Sequence, residues 1–227
     1  MDTQAVVQVV TSQLTAAANP AKAGSMAAYM KTDMPFYGVQ KAGRTPITER
    51  LKREFFPQNR DEYEEAVLAL WQLPHREEKY LAIAYARSFD EFIGTASMPL
   101  YEQIITEGAW WDFVDEVASQ LVGRVLFKER AGTEPGIRSW ISEDDMWLRR
   151  TAIICQLKHK TDTDTVLLDA ACTANLNDTE FFIRKAIGWS LREYAKTNPD
   201  WVKSYVEQHR TDLSGLSYRE ATKHLET

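Results

Sequence analysis

Apolar residues recur at three- and four-residue intervals along almost the whole chain. The clearest sets are Trp110, Val114, Val117 and Leu121; Leu148, Ala152 and Cys155; and Ile183, Ile187 and Leu191. This interval matches the 3.6-residue turn of an α-helix, whereas the two-residue alternation typical of strands is scarce. The pattern therefore predicts an all-α protein with ten or more short helices and no sheet.

Glycine and proline fall mainly between these helical patterns and mark the expected loops. The stretches concerned are ANPAKAG (18–24), FPQNRDE (56–62), AGTEPG (131–136) and TNPD (197–200). Near the C-terminus, Ser217 and Glu220 have the spacing of a capping box and predict the start of a last helix. The N-terminal stretch lacks a basic segment and carries Asp2, so it favours a first amphipathic helix over a signal peptide.

A weak internal repeat of about 35 residues underlies the helical pattern. MWLRRTAI (146–153) aligns with FFIRKAIG (181–188), which sets Arg150 over Lys185. One step back from Arg150 reaches Asp115, and a further step reaches Tyr80. Two helices per unit of this length are typical of a HEAT- or TPR-like α-solenoid, in which each unit buries its apolar stripe against its neighbours. A non-repeating helical bundle is the alternative.

Equivalent residues of a solenoid lie side by side on one face. Asp115, Arg150 and Lys185 are therefore expected to line the second helices of three consecutive units. In solenoids that face is usually concave and binds extended partners.

The stretch AWWDFVDEVA (109–118) separates into two faces on a helix. Trp110 joins the apolar stripe and is expected to pack in the core, whereas Trp111 lies about 100° away and shares a face with Asp115. Two interpretations remain open for each member of this pair. Trp111 is either a core aromatic between repeats or a surface aromatic. Asp115 either has only a structural role, solvated or paired with Arg150, or carries a function.

Another predicted face combines an aromatic with cations. Lys185, Trp189 and Arg192 share one side of their helix, and Lys158 closes the preceding helix, where a lysine ordinarily interacts with the helix dipole. Basic side chains bind phosphates, and aromatic faces pack against sugars or bases. Together with Arg150 and Asp115, these residues predict a groove that suits nucleic acid.

Composition changes this picture only slightly. The 227 residues carry a net charge of −6, which argues mildly against a nucleic-acid partner, although a local basic groove can exist on an acidic protein. Cys155 and Cys172 are too few for a disulfide framework and fall in apolar surroundings, so a cytoplasmic protein with reduced, buried thiols is expected. No apolar run approaches the roughly 18 residues that span a bilayer.

Several chemistries lack their motifs. The chain has no glycine-rich phosphate loop, no H-E-x-x-H, no C-x-x-C and no G-x-S-x-G, and its four histidines have no ligand spacing. A metal, a nucleotide cofactor and a serine nucleophile are therefore unsupported, and we expect no cofactor.

Motifs along nearly the whole chain resemble the AlkD-like family of DNA alkylation repair glycosylases. They are MAAYMK, FYGVQ, LWQLPHRE, WWDFVD, WLRRTAIICQLKHK, FFIRKAIGWSLREYAKTNPD and LSYREATKHL. The resemblance implies one domain over residues 1–227, a solenoid of HEAT-like repeats that wraps duplex DNA in a concave groove. It also implies hydrolysis of the N-glycosidic bond of N3- or N7-alkylated purines, such as 3-methyladenine and 7-methylguanine, without a pocket for the base. We expect a monomer.

The resemblance also assigns residues. The catalytic carboxylate falls on Asp115, the sugar-facing tryptophans on Trp111 and Trp189, and the active-site arginine on Arg150, which is chosen over its neighbour because it shares the 35-residue register. The residues expected to contact DNA are Tyr29, Arg149, Lys158, Lys185 and Arg192. The chain departs from the family pattern in QKAGRTPITERLK, which follows FYGVQ.

The implied chemistry is physically reasonable. A cationic alkylpurine leaves readily, and an ionised carboxylate stabilises the positive charge that develops on the deoxyribose. No lysine nucleophile is needed, so the prediction is a monofunctional glycosylase without lyase activity. The alternatives are a non-catalytic solenoid that binds DNA or a protein, and a relative that binds alkylated DNA without turnover.

Overall fold

The computed structural model describes residues 1–225, which form helices joined by loops and turns, with no strand. The prediction of an all-α protein is therefore confirmed. Two compact units divide the chain, one spanning Met1–Ile93 and the other beginning at Gly94. The single domain over residues 1–227 stays a prediction, and its last two residues lie outside the described part.

The first unit contains five α-helices among its described residues. They are α1 (Thr3–Ala16), α2 (Pro20–Met30), α3 (Lys41–Glu54), α4 (Arg60–Trp71) and α5 (Arg76–Arg87). Helix α1 confirms the predicted N-terminal amphipathic helix, since Val6, Val10 and Leu14 are fully buried at helical spacing. The QKAGRTPITERLK stretch forms most of α3, with Pro46 inside the helix.

A buried carboxylate holds the loop that leads into α3. Glu77 is fully buried and accepts hydrogen bonds from the backbone N–H groups of Tyr37, Gly38 and Val39, at 2.8–3.0 Å. Gly38 has a φ of +84°, and a Cβ there would lie 2.1 Å from the carbonyl oxygen of Asn19. Glycine is required here because both the left-handed backbone and the close approach exclude a side chain.

The second unit is a succession of helix pairs. Its helices are α6 (Met98–Gly108), α7 (Trp111–Val117), α8 (Gly123–Lys128), α9 (Arg130–Trp140), α10 (Met146–Ile154), α11 (Thr165–Thr173), α12 (Phe181–Ala195), α13 (Pro199–Gln208) and α14 (Gly215–Ala221). A π-helical segment, Ala118–Val122, joins α7 to α8, so the two form one long second helix. The apolar stripes predicted for α10 and α12 are buried.

Helix starts follow the 35-residue period predicted from the sequence. Helices that begin 35 residues apart are α3, α5, α7, α10 and α12, at Lys41, Arg76, Trp111, Met146 and Phe181. Helix α14 begins at Gly215, one residue earlier than the period requires. The regular spacing supports the repeat architecture over the non-repeating bundle.

Two predicted loops are wrong, since Pro20–Gly24 of ANPAKAG already belongs to α2 and AGTEPG is helical throughout. The AGTEPG stretch lies inside α9, although it contains two glycines and Pro135. Thr133, Ile137 and Trp140 on that helix are buried. Burial of this face outweighs the poor helix propensity of glycine and proline, which is only a weak guide when tertiary packing opposes it.

Helix α14 lies directly on α12 because Gly188 has no side chain. A Cβ at Gly188 would lie 2.5 Å from Cβ of Glu220 and 2.9 Å from the carbonyl oxygen of Ser217. The hydroxyl of Ser217 donates to the carbonyl of Arg184 at 2.9 Å. The predicted capping box is therefore wrong: Ser214 caps the helix by accepting from the N–H of Ser217, and the Glu220 side chain faces α12 instead.

Gly188→Ala should destabilise the protein, because the added methyl group forces α12 and α14 apart. We expect a loss of about 2 kcal/mol in the free energy of unfolding, as for other overpacked cores. Gly136→Ala is the matched control, since nothing lies within 4 Å of a Cβ at that helical glycine, and it should stabilise α9 by about 0.5 kcal/mol. Urea unfolding measures both. Equal stabilities of the two variants would contradict the close packing.

Candidate nucleic-acid interface

The centre of the site is a bidentate ion pair between Arg150 and Asp115. Arg150 Nε donates to Asp115 Oδ1 at 2.7 Å, and Arg150 Nη2 donates to Asp115 Oδ2 at 2.8 Å. The Arg150 side chain is 3% exposed and that of Asp115 is 17% exposed. Arg150 therefore lies beneath the carboxylate, and Asp115 is the member of the pair that solvent reaches.

Helical register explains why these residues meet. Asp115 and Arg150 are each the fifth residue of their helices, α7 and α10, which begin 35 residues apart. Arg150 Nη1 also donates to the carbonyl of Phe182 in the first turn of α12. One guanidinium thus connects the second helices of three successive repeats, and of the alternatives left open for Asp115 the structure contains the pair with Arg150.

The pKa of Asp115 is raised above its ordinary value. Burial is the largest cause, because it disfavours the charged form, and the negative charge of Asp112 acts in the same direction. The hydrogen bonds and charge of Arg150 oppose the shift. The protonation state of this carboxyl is therefore set by a balance in which Arg150 offsets part of the cost of burying an anion.

An aromatic cluster lies next to Arg150, whose guanidinium is 5.8 Å from the ring centroid of Phe182. The rings of Trp110, Trp147 and Phe182 lie 5.0–6.2 Å apart between centroids, one ring from each repeat. The prediction that Trp110 packs in the core as part of the helical stripe is wrong, because this residue is half-buried and precedes α7. It caps α7 with extended backbone angles and lies outside the helix, while Phe113 takes a fully buried core position.

A second set of charges involves a residue that the sequence analysis missed as part of the site. Glu220 of α14 contacts Lys185 Nζ through Oε1 at 2.7 Å and Arg192 Nη1 through Oε2. Its pKa is lowered, chiefly by the hydrogen bond from Lys185. One signal could have found Glu220: it lies one more 35-residue step beyond Asp115, Arg150 and Lys185.

The two tryptophans assigned to the site are half-buried. Trp111 is the first residue of α7 and shares a face with Asp115, four residues later. Trp189 lies on α12 between Lys185 and Arg192, on the face that carries both cations. Neither ring is enclosed in the core, which favours the surface interpretation of Trp111.

The remaining predicted contacts are dispersed. Arg149 pairs with Asp178 at 3.0 Å and also donates to the carbonyls of Glu143 and Asp144, so it holds the loop before α10. Lys158 is exposed but follows α10, which ends at Ile154, so its predicted place in the last helical turn is wrong. Tyr29 is 72% exposed on α2, in the first unit.

The described residues contain neither a metal-binding cluster nor a helix suited to crossing a membrane. No group of three or more His, Cys, Asp or Glu side chains within residues 1–225 is placed to hold a metal ion. In that same part of the chain, no helix combines the length and apolar character needed to cross a membrane. Both cysteines are buried and free, and burial raises the pKa of each thiol to about 12.

Comparisons with known proteins agree with this architecture of helical repeats. The sequence matches the family described as DNA alkylation repair enzyme over residues 10–225, and the chain belongs to that family. The solved structure "Predicted DNA alkylation repair enzyme from Enterococcus faecalis" is 32% identical with a TM-score of 0.84, and the match covers 92% of this chain and 97% of that one.

A second solved structure shows the fold alone. The protein smu.31 from Streptococcus mutans UA159 is 14% identical with a TM-score of 0.61, over 79% of this chain and 91% of that one. No curated protein matches this sequence.

Arg150→Gln should destabilise the protein by about 3 kcal/mol at neutral pH, because it leaves the Asp115 carboxylate partly buried without its cation. Urea unfolding measures the loss. The surface variant Arg138→Gln, which removes an exposed pair with Glu134, should cost no more than about 0.5 kcal/mol.

The pH dependence of the Arg150→Gln loss has a definite sign. Without Arg150 the pKa of Asp115 rises further, so the carboxyl protonates more readily as pH falls. The stability difference from wild type should therefore be largest at neutral pH and shrink as pH falls through that pKa. A difference that does not change with pH would show that Arg150 acts by packing alone.

Proposed function

We propose that the protein is a DNA glycosylase that hydrolyses the N-glycosidic bond of cationic N3- or N7-alkylated purines in duplex DNA. The observation that carries the proposal is Asp115, a carboxylate near the surface that is held at both oxygens by a buried arginine. Trp111 shares its helix face, and membership of the alkylation repair family supports the assignment.

Asp115 acts on the charge that develops in the transition state. As the glycosidic bond breaks, positive charge accumulates on the deoxyribose, and an anion nearby stabilises that state more than the ground state. Two unit charges about 4 Å apart interact by roughly 4 kcal/mol at an effective dielectric near 20. The same carboxylate is suitably placed at the surface to orient the attacking water.

Arg150 serves the carboxylate and does not meet the DNA in this mechanism. Its guanidinium is buried, and its hydrogen bonds go to Asp115 and Phe182. It fixes the orientation of both carboxylate oxygens and opposes the effect of burial on the pKa of Asp115. Since Asp115 lies nearer to solvent, a sugar at the surface meets the negative member of the pair first.

The two tryptophans supply apolar surface for the sugar. Their electron-rich ring faces attract developing positive charge by the same quadrupole that attracts cations. Lys185 and Arg192 flank Trp189 and provide charges for the phosphates next to the lesion, while Tyr29, Arg149 and Lys158 are further proposed contacts. The cationic base needs little help to leave, so no lysine nucleophile and no lyase step are included.

Binding of alkylated DNA without turnover is the second candidate. The observation that favours it is the pairing of Asp115 itself, because a buried ion pair also has a structural use between repeats. A catalytic assay separates the two candidates.

Wild-type protein should release 7-methylguanine or 3-methyladenine from methylated duplex DNA. Asp115→Asn should slow single-turnover release by about 100-fold, since it removes the charge that stabilises the transition state. Chromatography of the released bases measures both rates, and DNA binding is measured in parallel. Binding without release by the wild type would establish the second candidate, and full activity of the variant would exclude the proposed role of Asp115.

The rate of base release should fall as pH decreases through the pKa of Asp115, because only the ionised form stabilises the sugar. Burial raises this pKa, so the fall should occur above the ordinary value of 3.8. Asp112→Asn should move the fall to lower pH with an unchanged plateau, since the charge of Asp112 raises the pKa of Asp115. Single-turnover rates, corrected for uncatalysed release, measure the profile. A rate that does not fall as the solution becomes acidic would contradict the assignment.

A further inference from the structure

We infer that Glu220 is a positioning residue that holds Lys185 and Arg192 in place for the DNA backbone. The inference rests on the proposed function, because it assumes that these two cations meet phosphates. Glu220 touches neither the lesion nor the sugar in this proposal. It acts through the two side chains of α12 that it contacts.

One carboxylate spans two turns of α12. Lys185 and Arg192 are seven residues apart and therefore share a helix face, separated by roughly 10 Å along the axis. Each carboxylate oxygen of Glu220 forms an ion pair with one of these cations, Oε1 with Lys185 and Oε2 with Arg192. A carboxylate reaches both side chains only if its own backbone lies close to the midpoint between them.

Gly188 provides that close approach. It lies three residues after Lys185 and four before Arg192, and Cβ of Glu220 occupies the space that a side chain would take. Ser217, which is 1% exposed, fixes the same region of α14 through its hydrogen bond to the carbonyl of Arg184. The carboxylate is thus attached to a rigid helix, so its position is set by packing rather than by chance contact between flexible side chains.

The charge balance of this cluster favours positioning over neutralisation. One carboxylate pairs with two cations, which leaves these three side chains with a net charge of +1, and the positive charge of Lys223 also acts on Glu220. An ammonium group has three donors and a guanidinium five, and each contributes one to Glu220. Lys185 is 36% exposed and Arg192 is 20% exposed, so both still have donors to offer a phosphate.

Positioning also fits the location of Trp189. This half-buried ring lies between the two cations on the same face of α12. Holding a long lysine and a long arginine in one conformation lowers the entropy that DNA binding must remove. Both phosphate contacts are thereby presented with a fixed spacing on either side of the ring that is proposed to meet the sugar.

Glu220→Gln distinguishes positioning from simple charge screening, because the two hypotheses predict opposite changes in DNA affinity. Removing a negative charge next to phosphate should strengthen DNA binding if Glu220 only screens its neighbours. If Glu220 positions them, binding to a methylated duplex should weaken about tenfold despite the added positive charge. Fluorescence anisotropy at fixed ionic strength measures the dissociation constant.

Glu193→Gln is the matched control. Glu193 lies on α12, the helix that carries both cations, and pairs with Lys196 at 2.6 Å. Within the described part of the chain it forms no ion pair with Lys185 or Arg192, and its replacement changes the net charge equally. Its binding should be unchanged or slightly tighter. Binding by Glu220→Gln as tight as that of Glu193→Gln would overturn the inference.

Glu220→Asp tests the geometry without a change of charge. The side chain is shorter by one methylene group and cannot span both cations, so binding should weaken in the same direction as in Glu220→Gln. Wild-type affinity of Glu220→Asp would overturn the inference. Urea unfolding verifies that each variant is folded at the assay temperature. If Glu220→Gln is unfolded, the affinity of Glu220→Asp decides the question.

A double-mutant cycle with Lys185→Gln excludes a merely structural effect of α14. If Glu220 positions Lys185, the loss caused by Lys185→Gln should be several-fold smaller in the Glu220→Gln background than in the wild type. Independent losses would overturn the inference. Failure of the wild type itself to bind methylated DNA would refute the proposed function and this inference together, whereas normal wild-type binding isolates a failure of Glu220 alone.

Discussion

A buried guanidinium requires a partner for its charge, and in this protein Arg150 has Asp115. The same arginine donates to the carbonyl of Phe182, so it connects α7, α10 and α12. Repeat stacking and the orientation of the proposed catalytic carboxylate therefore depend on one side chain. Breaking such a pair is costly because it leaves an uncompensated charge in a region of low polarity. A carboxylate fixed in this way meets its substrate without reorganising, which is the condition for effective electrostatic catalysis.

Because the repeat is 35 residues long, charged residues spaced 35 apart in sequence lie next to one another on consecutive repeats. Second helices that begin in register bring Asp115 against Arg150, and Lys185 against Glu220, so the order along consecutive repeats is acid, base, base, acid. The first pair is neutral, whereas Arg192 adds a second cation to the other. A chain with a net charge of −6 can thus still present a local positive face beside Trp189.

Much of this arrangement was predictable because it depends on periodicity. The helical spacing predicted an all-α chain, and the alignment of Arg150 with Lys185 predicted the 35-residue period that the starts of α3, α5, α7, α10 and α12 follow. Helix ends and caps were less predictable, since they depend on local hydrogen bonds that compete closely. Trp110 caps α7 instead of joining its stripe, Ser214 replaces Ser217 as a cap, and Pro135 remains within α9 because that helix buries its apolar face.

The sequence by itself determined the helical class, the length of the repeat and the identity of the acid and the arginine in register, because apolar periodicity and repeat length are properties of the chain alone. The tertiary structure decided how those charges are used. Burial made Arg150 a support for Asp115, and the missing side chain of Gly188 brought Glu220 between Lys185 and Arg192. These outcomes depend on distances between helices, and such distances are set by how side chains pack across repeats.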